Sequence, residues 1–420
     1  MINDHTLARF LPLGGGLLAP LDDYSFGRLS RTLEYLLTGH ATGPLLPADC
    51  FGGSYPAPRK VVLFFIDSFG WQFWQRWAER SRIMRHIGDH GILTPISALF
   101  PSTTAASVTS LNLGCLPAEH GVYEWNMYVP AYGETIQSLR FATLGNAPVA
   151  CEKLGYDIHD LMAVHTTLHQ RLAAQGVRSI QLAHGGYAGS QYNRVASAGA
   201  QVLRHYTLAE SLSQLRDALE AGPQKALVQF YWAGLDTAAH IHGPGSPVHD
   251  AEVLAFWATL DTLLDDLRSP ETLFLFTADH GHVRVPADET LYVNERWPQL
   301  SGWLATSPTG KTIWPNGSPR DMFLHIDPEH RAEALNLLST GLIDIAEVMT
   351  IDAAVARGLF GPGAVSPELR RRLGDVLILP RLGHFVWWHE PGIMGNAFDG
   401  HHGGLSPEEL LTVLGVVDHL

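Results

Sequence analysis

Cysteine is scarce in this chain of 420 residues: Cys50, Cys115 and Cys151 are the only three, and none lies in a Cys-x-x-Cys pair. That excludes a disulfide framework and a thiolate zinc site, and it fits a reducing compartment. Charge is also sparse, at 17% Asp, Glu, Lys and Arg, against roughly 25% in an ordinary soluble domain. Basic charge is scarcest, with 28 Lys and Arg facing 42 Asp and Glu for a net −14. A large basic footprint for nucleic acid or an acidic membrane surface is thereby excluded, although a local basic groove is not. No apolar run approaches the ~18 residues that a membrane helix needs. The opening MINDHTLARF carries an acid and no basic n-region, and Gly and Pro break the LPLGGGLLAP that follows, which makes a poor signal peptide. The expectation is a soluble cytoplasmic protein with no membrane partner. Its oligomeric state is unreadable.

What the chain does have is apolar residues, 46% of the total, and histidine, which reaches 22. Surplus acids and histidines in a charge-poor chain suggest metal ligands. Residues 1–57, rich in Gly, Pro and Leu, read as an N-terminal extension packed on a core, with a helix around 26–38. Residues 58–420 read as the catalytic domain. The continuous apolar run at 61–66 has the length and β-branched content of a strand covered on both faces. Similar runs occur at 178–183, 226–232, 272–277 and 375–379, with helical patterns at 70–87, 165–174, 207–220 and 250–267. Strands alternating with helices predict an α/β fold, a doubly wound, mostly parallel sheet with helices on both faces. The Pro- and Trp-rich stretch at about 283–385 reads as an inserted lid or cap.

Chemistry concentrates where predicted strands end, the place where open α/β sheets bind ligands. VVLFFID ends in Asp67. VQFYWAGLDTAAHIHGP sets Asp236 and His240 four residues apart, on one face if they share a helical turn. LFLFTADHGH supplies Asp279 and His280, and FDGHHGGLSPEE supplies His401 and His402 before a predicted cap at Ser406 and Glu409. Carboxylates mixed with imidazoles suit zinc or another late first-row metal better than Mg²⁺ or Ca²⁺. Three carboxylates and three or more imidazoles are too many for one tetrahedral ion and about right for two with open positions. In ALFPSTTAASVTSL, Ser102, Thr103 and Thr104 follow Pro101 at the start of a helix-like run, where free N–H groups can receive a phosphoryl group. A metal-bound hydroxyl there would become a nucleophile. Taken singly, each residue also reads as a cap, a turn or a surface contact. Taken in order, they favour a metal site.

The set IDSFGW, FPSTTAAS, PAEHG, DTAAHIHGP, ADHGH and DGHHGGLSPEE resembles the alkaline phosphatase superfamily, in particular its type I phosphodiesterase/nucleotide pyrophosphatase branch. The resemblance implies two zinc ions, with other divalent metals such as manganese as alternatives. Asp236, His240 and His402 would hold one ion, and Asp67, Asp279, His280 and the Thr104 oxygen the other. His402 is preferred to His401 by the family pattern Gly-x-His-Gly, and Thr104 is the family nucleophile as the third residue after the proline. The implied activity is hydrolysis of a small-molecule phosphodiester or phosphoanhydride through a phosphothreonyl intermediate.

The sequence departs from the family at two places. Ser68 stands where the residue after the first aspartate is usually Gly, and Trp125 stands where nucleotide pyrophosphatases carry a phosphate-binding Asn. Asn126, one residue on, is the candidate replacement, and Trp125 and Tyr128 are candidates to stack on a substrate. Cys115-Leu-Pro-Ala-Glu119 lacks the arginine of a sulfatase sequence. No Lys or Arg occurs between His86 and Leu139, so a singly charged diester is expected over a dianionic monoester. The rival readings are a phosphomonoesterase, a phosphonate hydrolase, a metal-dependent mutase relative and a catalytically idle binding protein. His242, His282 and His401 are expected in structural or solvent-facing roles. The leaving-group pocket is expected from roughly 130–165 and 283–385.

Overall fold

A computed structural model of the protein describes residues 1–162, 166–222, 224–262 and 271–418. Seven strands make the central sheet: β1 (Lys60–Ile66), β2 (Ile92–Ser97), β3 (Arg178–His184), β4 (Gln201–His205), β5 (Ala226–Trp232), β6 (Thr272–Thr277) and β7 (Leu411–Val417). Their spatial order is β2-β7-β6-β1-β5-β3-β4. The ladders β4/β3, β3/β5, β5/β1 and β1/β6 are parallel, and β7 runs against both its neighbours. Alternation along β1 explains the two helical layers. Val62, Phe64 and Ile66 pack with Trp71, Trp74, Trp77 and Trp257 on one face. Val61, Leu63 and Phe65 pack on the other with Leu29, Leu33, Leu36 and Leu37 of the helix Leu29–Thr38.

Three differences from the sequence reading have local causes. The helix expected over 70–87 is two helices, Trp71–Trp77 and Arg82–His90, because Ser81 caps the second by accepting a hydrogen bond from Met84 N–H. The strand expected at 375–379 is Val376–Pro380, and it belongs to a separate antiparallel sheet with Asn316–Ser318, Asp321–Leu324 and Ala346–Thr350. An apolar run announces a buried strand without saying which sheet buries it. β2, β4 and β7 had no expectation attached. β2 contains Pro95, which an edge strand tolerates. The helix expected over 250–267 is Pro247–Asp261 as far as it is described; positions 263–267, like His165, lie outside the described residues.

The small sheet lies in the excursion between β6 and β7. A short antiparallel ladder, Val283 with His401 and Arg284 with Gly400, joins the points where the chain leaves and returns. A fully buried ion pair ties the excursion to the approach to β7: Arg320 Nε and Nη2 donate to Glu409 Oε1 and Oε2 at 2.9 and 2.8 Å. Arg320 also donates to the carbonyls of Arg381 and His384, and Ser406 Oγ donates to Glu409 Oε2, so the buried pair is hydrogen-bonded throughout. Among the described residues, no helix is long and apolar enough to cross a membrane.

Candidate metal centre and crevice

The carboxyl ends of the parallel strands place the ligand candidates. Asp67 follows β1, Asp279 and His280 follow β6, and Asp236 and His240 lie on the helix Gly234–His242 that follows β5. Thr104 opens the helix Thr104–Leu113 after β2, and His402 comes in on the returning chain. All seven converge. His240 Nε2 lies 3.6 Å from Asp236 Oδ1, and His402 Nε2 lies 3.8 Å from the same oxygen and 3.2 Å from His240 Nε2. Beside them, His280 Nε2 is 3.6 Å from Asp67 Oδ1, 3.3 Å from Asp279 Oδ2 and 3.2 Å from Thr104 Oγ1, with Thr104 Oγ1 3.5 Å from Asp67 Oδ1. A tetrahedron of zinc–ligand bonds about 2.0–2.1 Å long has edges of roughly 3.3 Å. Asp236 comes within ligand range of both groups.

Hydrogen bonds set each imidazole for coordination. Nδ1 of His240, His280 and His402 faces the carbonyl oxygen of Gly400, Gly281 and Ser102 at 2.8, 3.0 and 2.9 Å. A proton on Nδ1 leaves the Nε2 lone pair facing the group. Tyr231 O–H donates to Asp67 Oδ2, and the N–H groups of Ser68 and His280 donate to Asp279 Oδ1 at 3.2 and 3.1 Å. Asp236 Oδ1 and Asp279 Oδ2 are buried without a hydrogen-bond donor. This donor set and its unpaired oxygens fit divalent metal ions.

Electrostatics agree with that fit. Burial, reinforced by the Asp279 charge, pushes the Asp67 carboxyl well above the ordinary carboxylate range. Burial also raises Asp236 and Asp279 to about 7. It lowers His280 to about 3 and His402 well below the usual imidazole range. Neutral imidazoles and carboxyls that resist ionising without a counter-charge are the groups a cation would stabilise.

The three hydroxyls after Pro101 separate by their partners. Ser102 Oγ donates to Gly404 O and accepts from Gly403 N–H, and Thr103 Oγ1 donates to Tyr123 O and caps the helix at Ala106 N–H. Only the Thr104 hydroxyl faces the ligand group. The first-turn N–H groups of Thr104 and Ala105 have no intrahelical acceptor, and both residues line the crevice.

The crevice encloses about 930 Å³. Trp125 and Asn126 both line it; Asn126 Nδ2 donates to Gly317 O at 3.3 Å, which engages one of its two hydrogens. Tyr128 is instead buried against His325. Gln137, Leu139 and Leu144 form part of the wall, with Gly317, Ser318 and Pro319 from the excursion and Ile393, Met394 and Phe398 from beyond its expected end. Arg140 is the single Lys or Arg among the described lining residues, and it is exposed at the rim.

Several residues here had no expected role. Tyr231 sits inside an apolar run without polar contrast. Glu124 lines the crevice close to the buried Asp321, and burial raises its pKa to about 8. His282 was expected to be structural or solvent-facing; its side chain is fully buried among Asp236, His240 and His402. His401 stands outside the group, with Nε2 on Asn396 Oδ1 at 2.8 Å.

Residues 61–404 match the family model of type I phosphodiesterase / nucleotide pyrophosphatase. Sequence comparison with curated proteins finds no match. Murine ectonucleotide pyrophosphatase/phosphodiesterase 5, an inactive variant in complex with AMP, superposes with a TM-score of 0.62 at 14% identity, over 85% of this chain and 87% of that one. Its human counterpart gives 0.58 at 12% identity, over 85% and 87%. Phosphonoacetate hydrolase from Sinorhizobium meliloti 1021, in complex with phosphonoacetate, gives 0.60 at 17% identity, over 86% and 90%. At these identities, the likeness is one of fold.

Proposed function

The chain belongs to the type I phosphodiesterase/nucleotide pyrophosphatase family of metal-dependent phosphoester hydrolases, and from that premise we propose that Thr104 is the nucleophile of a two-metal phosphodiesterase. The observation that carries this reading is the Thr104 hydroxyl, 3.2 Å from His280 Nε2 and 3.5 Å from Asp67 Oδ1, at the start of a helix whose first N–H groups are free. Asp236, His240 and His402 would hold one zinc ion, and Asp67, Asp279, His280 and Thr104 the other. Two bound zinc ions would supply Lewis acidity, lowering the pKa of the hydroxyl and offsetting charge on the attacking and leaving oxygens.

Thr104 Oγ1 attacks phosphorus in line, the ester oxygen departs opposite it, and a phosphothreonyl ester results that water then hydrolyses. The N–H groups of Thr104 and Ala105, with the remaining hydrogen of Asn126 Nδ2, are the donors available to phosphoryl oxygens. Tyr231 and the Ser68 N–H hold the carboxylates in place.

A crevice with one rim cation is poorly equipped for a dianionic monoester and suits a singly charged diester or an anhydride. Its apolar wall of Trp125, Leu139, Leu144, Ile393, Met394 and Phe398 suits a bulky leaving group. AMP in the murine neighbour and phosphonoacetate in the bacterial one support a small phosphoryl substrate. Three unpaired cysteines support the cytoplasmic location.

The deciding experiment pairs turnover of bis-(p-nitrophenyl) phosphate with metal content. Thr104→Ala should lose at least ~10³-fold in kcat, a nucleophile-sized effect, while keeping its zinc. Turnover at the wild-type rate would remove Thr104 from the mechanism. A panel of diester, monoester, dinucleotide and phosphonate at saturating zinc then ranks the substrate classes.

A further inference from the structure

We propose that His282 is a fourth protein ligand, through Nδ1, of the ion assigned to Asp236, His240 and His402. The inference rests on the two-metal reading above and adds a residue to it.

His282 follows Gly281 on the irregular segment that leads into the ladder at Val283–Arg284. In an extended chain, residues two apart share a face, so the segment that brings His280 to one metal group carries His282 to the other. Gly281 permits this course because a side chain there would meet Glu408 O at 2.0 Å. The His282 side chain is fully buried, yet neither ring nitrogen has a hydrogen-bond partner. A buried imidazole with two unpaired nitrogens is an uncompensated desolvation, and coordination relieves it at Nδ1.

The distances agree. His282 Nδ1 lies 3.6 Å from Asp236 Oδ1, the separation that His240 Nε2 keeps from the same oxygen. One donor atom from each of Asp236, His240, His282 and His402 falls within 4.8 Å of every other. His282 stands 4.6 Å from His240 and 5.0 Å from His402 by ring centroid, at steep interplanar angles of 83° and 70°. Each ion would then have four protein donors, and the two sets would differ in kind: one includes the Thr104 hydroxyl and two carboxylates, the other a single carboxylate and three imidazoles.

The test uses full-length protein loaded with Co²⁺ alone. Each coordinated imidazole retains one ring N–H, and in the cobalt protein that proton gives a hyperfine-shifted, exchangeable NMR signal. The wild type should show four such signals, from His240, His280, His282 and His402, and His282→Gln and His282→Phe should each show three. Chelator competition should show one of the two ions weakened beyond the ~10–100-fold typical of losing an outer-sphere partner. Three signals in wild type and variants alike would overturn the proposal and leave the two-metal reading standing. A wild-type protein that takes up no cobalt would overturn both. Melting of the metal-free variants controls for folding, and Gln provides a polar replacement should Phe fail to fold.

Discussion

His402 Nε2 faces His240 Nε2 at 3.2 Å, while Nδ1 of each ring faces a main-chain carbonyl, Ser102 O at 2.9 Å and Gly400 O at 2.8 Å. Donation from both Nδ1 atoms turns two lone pairs towards each other. Burial and the neighbouring imidazoles hold His402 well below its usual pKa, so protonation of His402 does not resolve the contact at neutral pH. A metal cation does.

Metal removal should therefore destabilise the fold more at high pH than at low pH. Burial raises Asp236 and Asp279 from 3.8 to about 7 in the metal-free fold. Raised carboxyls bind more protons folded than unfolded, so their stabilisation is full below pH ~4 and is lost as pH rises through ~7. His280 and His402 stay neutral with or without metal, so their contribution cancels, and the gap in melting temperature between zinc-loaded and EDTA-stripped protein should widen from pH 5 to 8. Coincident melting profiles would mean that these carboxyls do not face a metal.

Tyr231→Phe isolates the hydrogen bond to Asp67 Oδ2. The ring keeps its edge contact with Phe65, and only the hydroxyl goes. Outer-sphere partners of metal ligands typically contribute ~10–100-fold in affinity, and a loss in that range is expected for one zinc ion by chelator competition. Unchanged affinity for both ions would show that Asp67 needs no orienting donor.

The metal groups were largely legible in the sequence because each acid directly follows, or lies within one turn of, an apolar run that announces its strand: VVLFFI before Asp67, ALVQFYW before Asp236, TLFLFT before Asp279. Tyr231 was not legible, because a tyrosine inside an apolar run reads as packing until the neighbouring strand is known. His282 was hidden for a related reason. Asp279-His280-Gly281 reads as a turn, and a turn would send His282 away from His280. The strand at 376–380 was visible locally, but its assignment to the small sheet depends on partners at 321–324 and 346–350 that no local pattern specifies.

Glu124 and Asp321 form a buried carboxyl pair between the crevice wall and the small sheet. Burial lifts Glu124 to about 8, and burial with the Glu124 charge lifts Asp321 well above its usual range. Ser318 N–H and O–H already donate to Asp321 Oδ1, at 3.1 and 2.6 Å. A raised carboxyl stabilises fully below its unfolded pKa of 4.5, and the contribution is lost as pH climbs through about 8. Glu124→Gln replaces the protonated partner with an amide donor, so urea midpoints should fall less between pH 5 and 8 than in the wild type. Parallel slopes would place the proton elsewhere.

Ser68 supplies the last prediction, and it turns a departure from the family pattern into a measurement. It lies at φ 63°, in the left-handed region that glycine adopts freely, and its hydroxyl is buried without a partner. Its useful contribution is the backbone N–H on Asp279 Oδ1, which any residue provides. Replacing Ser68 by Gly removes a left-handed cost of ~1–2 kcal/mol and an unpaired hydroxyl worth ~1–3 kcal/mol. Against that stands ~0.5–1 kcal/mol of extra freedom in the unfolded chain. The expected net is a gain of at least ~1 kcal/mol in urea denaturation, with zinc content unchanged. Ser68→Ala separates the terms, since it removes the hydroxyl and keeps the Cβ. A Gly variant less stable than the Ala variant would show that the left-handed backbone carries no strain here.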